Sequence, residues 1–186
     1  MRIGVVPRWG GSQDDEWYAW MRRELGAHDV RVAALRPSPG APEIAACVAE
    51  IKRVVGADPA ALAETVLVGH SVGCQAVLRF LETLEPPARV AGVLCVAGWF
   101  WVDEPWETIR PWIDTPLDRA RVREAAGTTH VLLSDDDPYT SDHEANARQW
   151  RNALGAEVTV VGGGRHFNRA REPEVLAALR LLVPPA

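Results

Sequence analysis

Cysteine is scarce in this chain, with three residues in 186, at positions 47, 74 and 95. An odd number, far apart and without paired spacing, supports neither a disulfide framework nor a zinc site, so Cys47, Cys74 and Cys95 are expected as buried reduced thiols. An excess of positive charge is missing as well. Twenty Lys and Arg stand against 25 Asp and Glu, for a formal charge of -5. That balance lacks the basic surface that sequence-independent nucleic-acid binding needs, so no nucleic-acid partner is expected. No apolar run approaches the roughly 18 residues of a membrane helix. Pro7 interrupts the run Ile3-Gly4-Val5-Val6 before it could form the apolar stretch of a signal peptide. The expected location is the cytoplasm, with no membrane partner. Internal repeats, low-complexity tracts and linkers rich in Gly and Ser are also absent. What remains is an ordinary globular balance, 47% hydrophobic and 24% charged. It excludes disordered, collagen-like and coiled-coil chains and suits one domain over residues 1–186.

Apolar runs of strand length alternate with stretches of helical period, which predicts an α/β fold. Strands are expected at Ile3 to Val6, Val30 to Ala34, Thr65 to Val68, Val90 to Val96, Val131 to Leu133 and Val158 to Val161. Apolar residues at consecutive positions mean that both faces are covered, as in a parallel sheet of about six strands with helices on both sides. Helices are expected at Glu16 to Leu25, Glu43 to Val55, Val72 to Leu84, Asp142 to Leu154 and Glu172 to Leu182. Residues 98–123 break this rhythm: Trp99, Phe100, Trp101, Trp106 and Trp112 are interspersed with Pro105, Pro111 and Pro116. This stretch reads as a small irregular cap-like insertion over the sheet's edge. The alternative is that its rings complete the core on that side.

The sharpest motif is Gly69-His70-Ser71-Val72-Gly73, directly after the run Thr65-Val66-Leu67-Val68 and directly before a helical segment. A nucleophilic serine needs a tight strand-to-helix turn, and glycines two residues to either side let neighbouring backbone approach. The turn places Ser71 at the carboxyl end of a strand and at a helix amino terminus, where free N–H groups favour negative charge. A serine hydroxyl is a poor nucleophile until a base takes its proton, so a histidine and an orienting acid should follow. His166 fits as the base because it follows the last strand in the flexible loop Gly162-Gly163-Gly164-Arg165-His166. His28 and His130 precede strands, His143 opens a surface helix, and His70 lies within the turn itself. The acid falls in Asp135-Asp136-Asp137-Pro138. Pro138 fixes Asp137 in extended backbone, which favours Asp137 over Asp136. The other two carboxylates are expected to cap the next helix or meet solvent. A metal reading of this run with His143 lacks a second ligand cluster, so no metal or cofactor is expected.

The order Ser71, Asp137, His166 is that of α/β-hydrolases. The oxyanion donors are then expected to be the N–H of Val72 and one N–H from Pro7-Arg8-Trp9-Gly10-Gly11, with Trp9 preferred. Trp99, Trp101 and His70 are the candidate substrate-binding residues.

These features together resemble the small single-domain serine hydrolases grouped with YdeN and retinoblastoma-binding protein 9. The resemblance rests on Val-Pro-x-x-Gly-Gly at 6 to 11, Glu16-Trp17-Tyr18-Ala19-Trp20, the Gly69 to Gly73 elbow and Arg110-Pro111-Trp112. It extends to Ser134-x-Asp136-Asp137-Pro138-Tyr139 and Gly164-x-His166-Phe167. It implies a reduced α/β-hydrolase fold, a Ser71-Asp137-His166 triad and esterase or peptidase-like activity. Arg8-Trp9 depart from the pattern, because small residues are common there. The expected function is metal-independent hydrolysis of a small acyl substrate (an ester, thioester or amide) through an acyl-enzyme. The alternative is a protein-binding module on the same scaffold, which five exposed aromatic rings on one flat surface would favour. No oligomeric state follows from the sequence.

Overall fold

The structure is a computed structural model and describes residues 1–15 and 17–183. In chain order the elements are β1 (Arg2–Val6), α1 (Tyr18–Glu24), β2 (Asp29–Val32), β3 (Pro37–Ser38), β4 (Ala41–Pro42), α2 (Ile44–Val55), α3 (Pro59–Ala63) and β5 (Thr65–His70). They continue as α4 (Val72–Glu82), β6 (Gly92–Val96), a 3-10 turn at Glu107–Ile109, α5 (Arg110–Asp114), α6 (Arg119–Ala125), β7 (Thr128–Ser134), α7 (His143–Leu154), β8 (Glu157–Val161) and α8 (Pro173–Leu182). Six strands form a parallel sheet in the order β2-β1-β5-β6-β7-β8, while β3 and β4 pair as a separate antiparallel ribbon. The chain leaves β1 outward to β2 and returns on the other side as β5. The crevice beyond the carboxyl ends of β1 and β5 is therefore the place where an open parallel sheet binds ligands.

Alternation along each strand divides the core into two halves. Ile3, Val5, Val66, Val68, Leu94, Val96 and Leu132 face α1 and α8. Val6, Leu67, Val93, Cys95, Val131 and Leu133 face α2, α4, α6 and α7. Both faces are apolar because both are covered, as the consecutive apolar runs require. The edge strand β8 departs from this: Val160 is 39% exposed, since an edge strand is sheltered by its neighbours on one side alone. All three cysteines are buried and free. Among the described residues, no helix is long and apolar enough to cross a membrane.

Residue 16 of the expected first helix lies outside the described residues, and the helix itself starts at Tyr18. Two short helices carry local stop and start signals of their own. Asp58 caps α3 by accepting from the Ala61 N–H, with Pro59 next to it, and Asp118 caps α6 by accepting from the Arg121 N–H. Helix α6 is the crossover from β6 to β7, and the segment before it, 98–118, holds the 3-10 turn and α5. That segment is clamped to α4 by Arg79, whose buried guanidinium donates to the carbonyls of Trp112, Thr115 and Pro116 at 3.2, 2.7 and 3.1 Å. A cation at the carboxyl end of α5 is favoured by the helix dipole. Trp112 is buried beside it and donates its indole N–H to the Pro42 carbonyl at 3.1 Å.

Candidate active site

The elbow is strained where the motif demands. Ser71 has φ 56° and ψ -118° at the junction of β5 and α4, a left-handed conformation that costs a non-glycine residue about 1–3 kcal/mol. Its N–H is held by the Val96 carbonyl at 2.8 Å. A Cβ on Gly69 would lie 2.5 Å from the Cα of Cys74, and one on Gly73 would lie 2.2 Å from the Val6 carbonyl oxygen. Both obstacles are backbone and cannot yield. Gly73 therefore presses the elbow against the end of β1, which puts the amino terminus of α4 beside the Arg8–Trp9 loop. Gly73→Ala is expected to destabilise the fold by more than about 4 kcal/mol, read as the loss in the midpoint of urea denaturation. A near-neutral result would contradict this packing.

Asp137 and His166 meet. The His166 Nδ1 lies 2.8 Å from Asp137 Oδ2, with both side chains buried. A carboxylate accepts, so Nδ1 carries the proton and Nε2 is left as the basic nitrogen. The other Asp137 oxygen accepts the Tyr139 N–H at 2.9 Å, which locks the carboxylate in the turn that Pro138 begins. Of the two expected outcomes for Asp135 and Asp136, the structure gives exposure to solvent and not a cap on the next helix, and both carboxylates also accept hydrogen bonds. Asp142 caps α7 by accepting from the Ala145 N–H. Asp135 accepts from the Gly163 N–H at 2.8 Å, and Asp136 accepts from the Arg165 N–H and the Ser134 hydroxyl, each at 2.6 Å. These two carboxylates dock the loop that carries His166. The Ser134 hydroxyl and then the Arg165 N–H hold Asp136 below the usual carboxylate range.

Ser71 and His166 floor a cavity of about 250 Å³. Its walls are largely aromatic, with Trp9, Trp99, Trp106 and Tyr139 joined by Val102 and Ile109 and by the polar side chains of Arg8 and Asn168. The rings interlock, Trp9 with Trp106 at 5.3 Å and Tyr139 edge-on to His166 at 4.6 Å. The Trp99 indole N–H points at the Ser71 Oγ from 3.4 Å. Its backbone carbonyl accepts from the Gln75 side chain. Trp106 stands in the sequence as one ring of the Trp-rich stretch and Tyr139 as part of the Asp137-Pro138-Tyr139 motif, whereas Asn168 carries no site signal of its own. Only the folding of three separate loops onto one sheet edge brings them to the cavity.

Two of the expected substrate-binding residues lie outside the cavity wall. Trp101 is half-buried and lies outside the cavity wall. The chain turns at Phe100, whose ring packs on Trp150 at 4.6 Å, and the wall resumes at Val102. His70 is fully buried and also outside the cavity. As the last residue of β5 its side chain points to the α1 face, where Nδ1 meets the Tyr18 hydroxyl at 2.7 Å and Nε2 meets the His166 carbonyl at 2.8 Å. Burial first, and the neighbouring His166 second, hold its imidazole well below the ordinary range, so it is neutral. Burial also pushes the Cys74 thiol far up, which leaves it inert one turn along from Ser71. Among the described residues, no group of three His, Cys, Asp or Glu is placed to hold a metal ion.

A parallel sheet with an elbow serine at its crossover point and an acid-histidine pair beyond its later strands defines an α/β-hydrolase. The chain belongs to the serine hydrolase family, whose model matches residues 3–176. It is 25% identical over 170 residues to the putative hydrolase YdeN of Bacillus subtilis (strain 168), covering 89% of this chain and 85% of YdeN. The crystal structure of the B. subtilis ydeN product superposes with a TM-score of 0.83 at 23% identity, covering 97% of each chain. A putative YdeN-like hydrolase from Pectobacterium atrosepticum gives 0.67 at 23% identity, with 98% of this chain and 92% of that one covered. The RedJ thioesterase of the prodiginine pathway in Streptomyces coelicolor gives 0.65 at 15% identity, covering 98% and 90%.

Proposed function

We propose that the protein hydrolyses small acyl substrates with an apolar acyl group (esters, thioesters or amides), by acyl transfer through Ser71. The observation that carries this reading is the 2.8 Å pair of Asp137 and His166, with His166 and Ser71 lining the same cavity. In the first half-reaction the Ser71 hydroxyl proton passes to His166 Nε2 while Oγ bonds to the acyl carbon. Asp137 keeps the imidazole in the right tautomer and stabilises the imidazolium. The oxyanion is held by the N–H of Val72 at the head of α4 and by the N–H of Trp9. The intermediate collapses with cleavage of the bond to the leaving group, which takes the proton from His166. Water then attacks the acyl-enzyme, giving its proton to His166; the bond to Oγ breaks and Ser71 regains its proton.

The four aromatic rings around the cavity support an apolar acyl group, since burial is worth about 25 cal/mol per Å². Treatment with a fluorophosphonate is expected to place one adduct on Ser71, identified by mass spectrometry of the digested protein. An adduct elsewhere, or none on folded protein, removes the reading. The binding-module alternative expected five exposed rings. Trp99 and Trp112 are buried, which speaks against it.

The wall also sets an acyl-chain limit. Trp106 is 36% exposed at the cavity mouth, whereas Trp99 is 1% exposed and belongs to the core. Trp106→Ala is expected to raise the hexanoyl-to-acetyl ratio of kcat/KM on p-nitrophenyl esters about tenfold, because each methylene newly housed is worth about 0.8 kcal/mol. The melting temperature should stay within a few degrees of the parent. Trp99→Ala should instead cost about 3–5 kcal/mol of stability, as emptying a core tryptophan site does. An unchanged ratio in Trp106→Ala would remove this ring from the acyl site.

A further inference from the structure

Three loops that the proposed chemistry needs are joined from beneath by one buried chain of hydrogen bonds. The Arg8 N–H, next to the Trp9 N–H, donates to the Tyr18 hydroxyl oxygen at 3.1 Å. Tyr18 and His70 are 2.7 Å apart at Oη and Nδ1, and His70 Nε2 lies 2.8 Å from the His166 carbonyl. Chemistry fixes the directions. A carbonyl only accepts, so Nε2 carries the proton of the neutral ring, Nδ1 accepts, and the tyrosine hydroxyl donates to it. Beside this chain, Trp17 donates its indole N–H to the Phe167 carbonyl at 3.0 Å.

We infer that Tyr18 and His70 are positioning residues: they hold the His166 backbone, and with it the imidazole, in register with Ser71 and the Trp9 N–H. The inference rests on the hydrolase reading above. Its physical basis is the conformation of the loop. Arg165 and Phe167, on either side of His166, have φ of 51° and 52°, a run that the backbone does not hold unaided. The His166 carbonyl is thereby turned inward, where it needs a buried donor. His70 supplies one from the residue covalently attached to Ser71, so nucleophile and base are fixed to each other by a single ring. Tyr18, from α1, extends the connection to the loop after β1. Packing alone does not require this arrangement, since apolar side chains of similar volume would fill the same space under the sheet. The neutrality of His70 matters too. Its ring centroid is 5.5 Å from that of His166, and a charged ring there would oppose the imidazolium that forms on His166 in each turnover.

The test uses the full chain with p-nitrophenyl acetate and a fluorophosphonate. Tyr18→Phe removes one hydroxyl and is expected to lower kcat about tenfold, with KM within about twofold of the parent and the melting temperature lowered by a few degrees. His70→Leu, which frees the His166 carbonyl, is expected to lower kcat about 100-fold, and His70→Gln, which keeps a donor toward that carbonyl, to recover most of the loss. Labelling of Ser71 should slow in the same order. If His70→Leu does not fold, Tyr18→Phe decides. Parent-like kcat and labelling in Tyr18→Phe and in folded His70→Leu, with only the melting temperature lowered, would overturn the inference and leave the network purely structural. Failure of the parent protein itself to label would instead remove the hydrolase reading.

Discussion

Replacing Ser71 with alanine is expected to lower kcat on an activated ester by about 10⁶, to the level left by binding and the oxyanion donors alone. The size follows from the arrangement. On the proposed mechanism Ser71 is the side chain that forms the acyl bond, and the energy of its left-handed backbone is met by Gly69, Gly73 and the Val96 carbonyl rather than by its hydroxyl. Removing Oγ therefore leaves the scaffold intact, and the melting temperature should move little. The Trp99 indole N–H loses a partner at 3.4 Å, a bond too long to matter much for stability. Stopped turnover with an unchanged unfolding transition would identify Ser71 as the nucleophile; residual activity above about 1% of the parent would rule out acyl transfer through it.

Asp137→Asn comes next, with an expected loss of about 10⁴ in kcat. An amide in place of the carboxylate can turn its NH₂ toward His166 Nδ1. That stabilises the tautomer with its proton on Nε2, the nitrogen that must accept from Ser71. Two neighbours serve as controls. Asp136→Asn still offers an oxygen to the Arg165 N–H but no longer accepts as a carboxylate from both Arg165 and Ser134. It should loosen the loop that carries His166 and reduce kcat by about tenfold. Asp135→Asn keeps an acceptor for the Gly163 N–H and should fall by less than that. Assayed on one ester, the three variants give a graded series. If Asp136→Asn equals Asp137→Asn, the acid has been assigned to the wrong carboxylate.

Much of the fold is legible in the sequence because local residue pattern governs it. The four inner strands of the main sheet, β1, β5, β6 and β7, stand out as runs rich in Val, Leu and Ile, since a parallel sheet covered on both faces needs apolar side chains at successive positions, while the edge strands β2 and β8 alternate apolar with polar residues. The four helices of ten residues or more, α2, α4, α7 and α8, show in their period, and α1, of seven residues, lies within the longer stretch expected for it. The short ones, α3, α5 and α6, do not, because five to seven residues hold too few turns for a period to register. Their caps at Asp58 and Asp118 are the available signals. The elbow is legible for a different reason: Gly69 and Gly73 are demanded by backbone contacts that no other residue tolerates.

Local pattern thus accounts for the strand-turn-helix unit that presents Ser71 and for the apolar character of the sheet, and the chain order of serine, acid and histidine is explicit in the residues themselves. Long-range packing settles which aromatic rings face the cavity and what His70 does. Trp99, Trp101 and Trp106 look alike along the chain, and only the turn at Phe100 and the clamp of Arg79 onto α5 separate the two that line the cavity, Trp99 and Trp106, from Trp101, which does not. His70 reads as a member of the elbow. Its partners Tyr18 and His166 stand 52 and 96 positions away. The direction of a side chain at the end of a buried strand is fixed by what packs beneath it, and that packing partner is chosen by the whole fold.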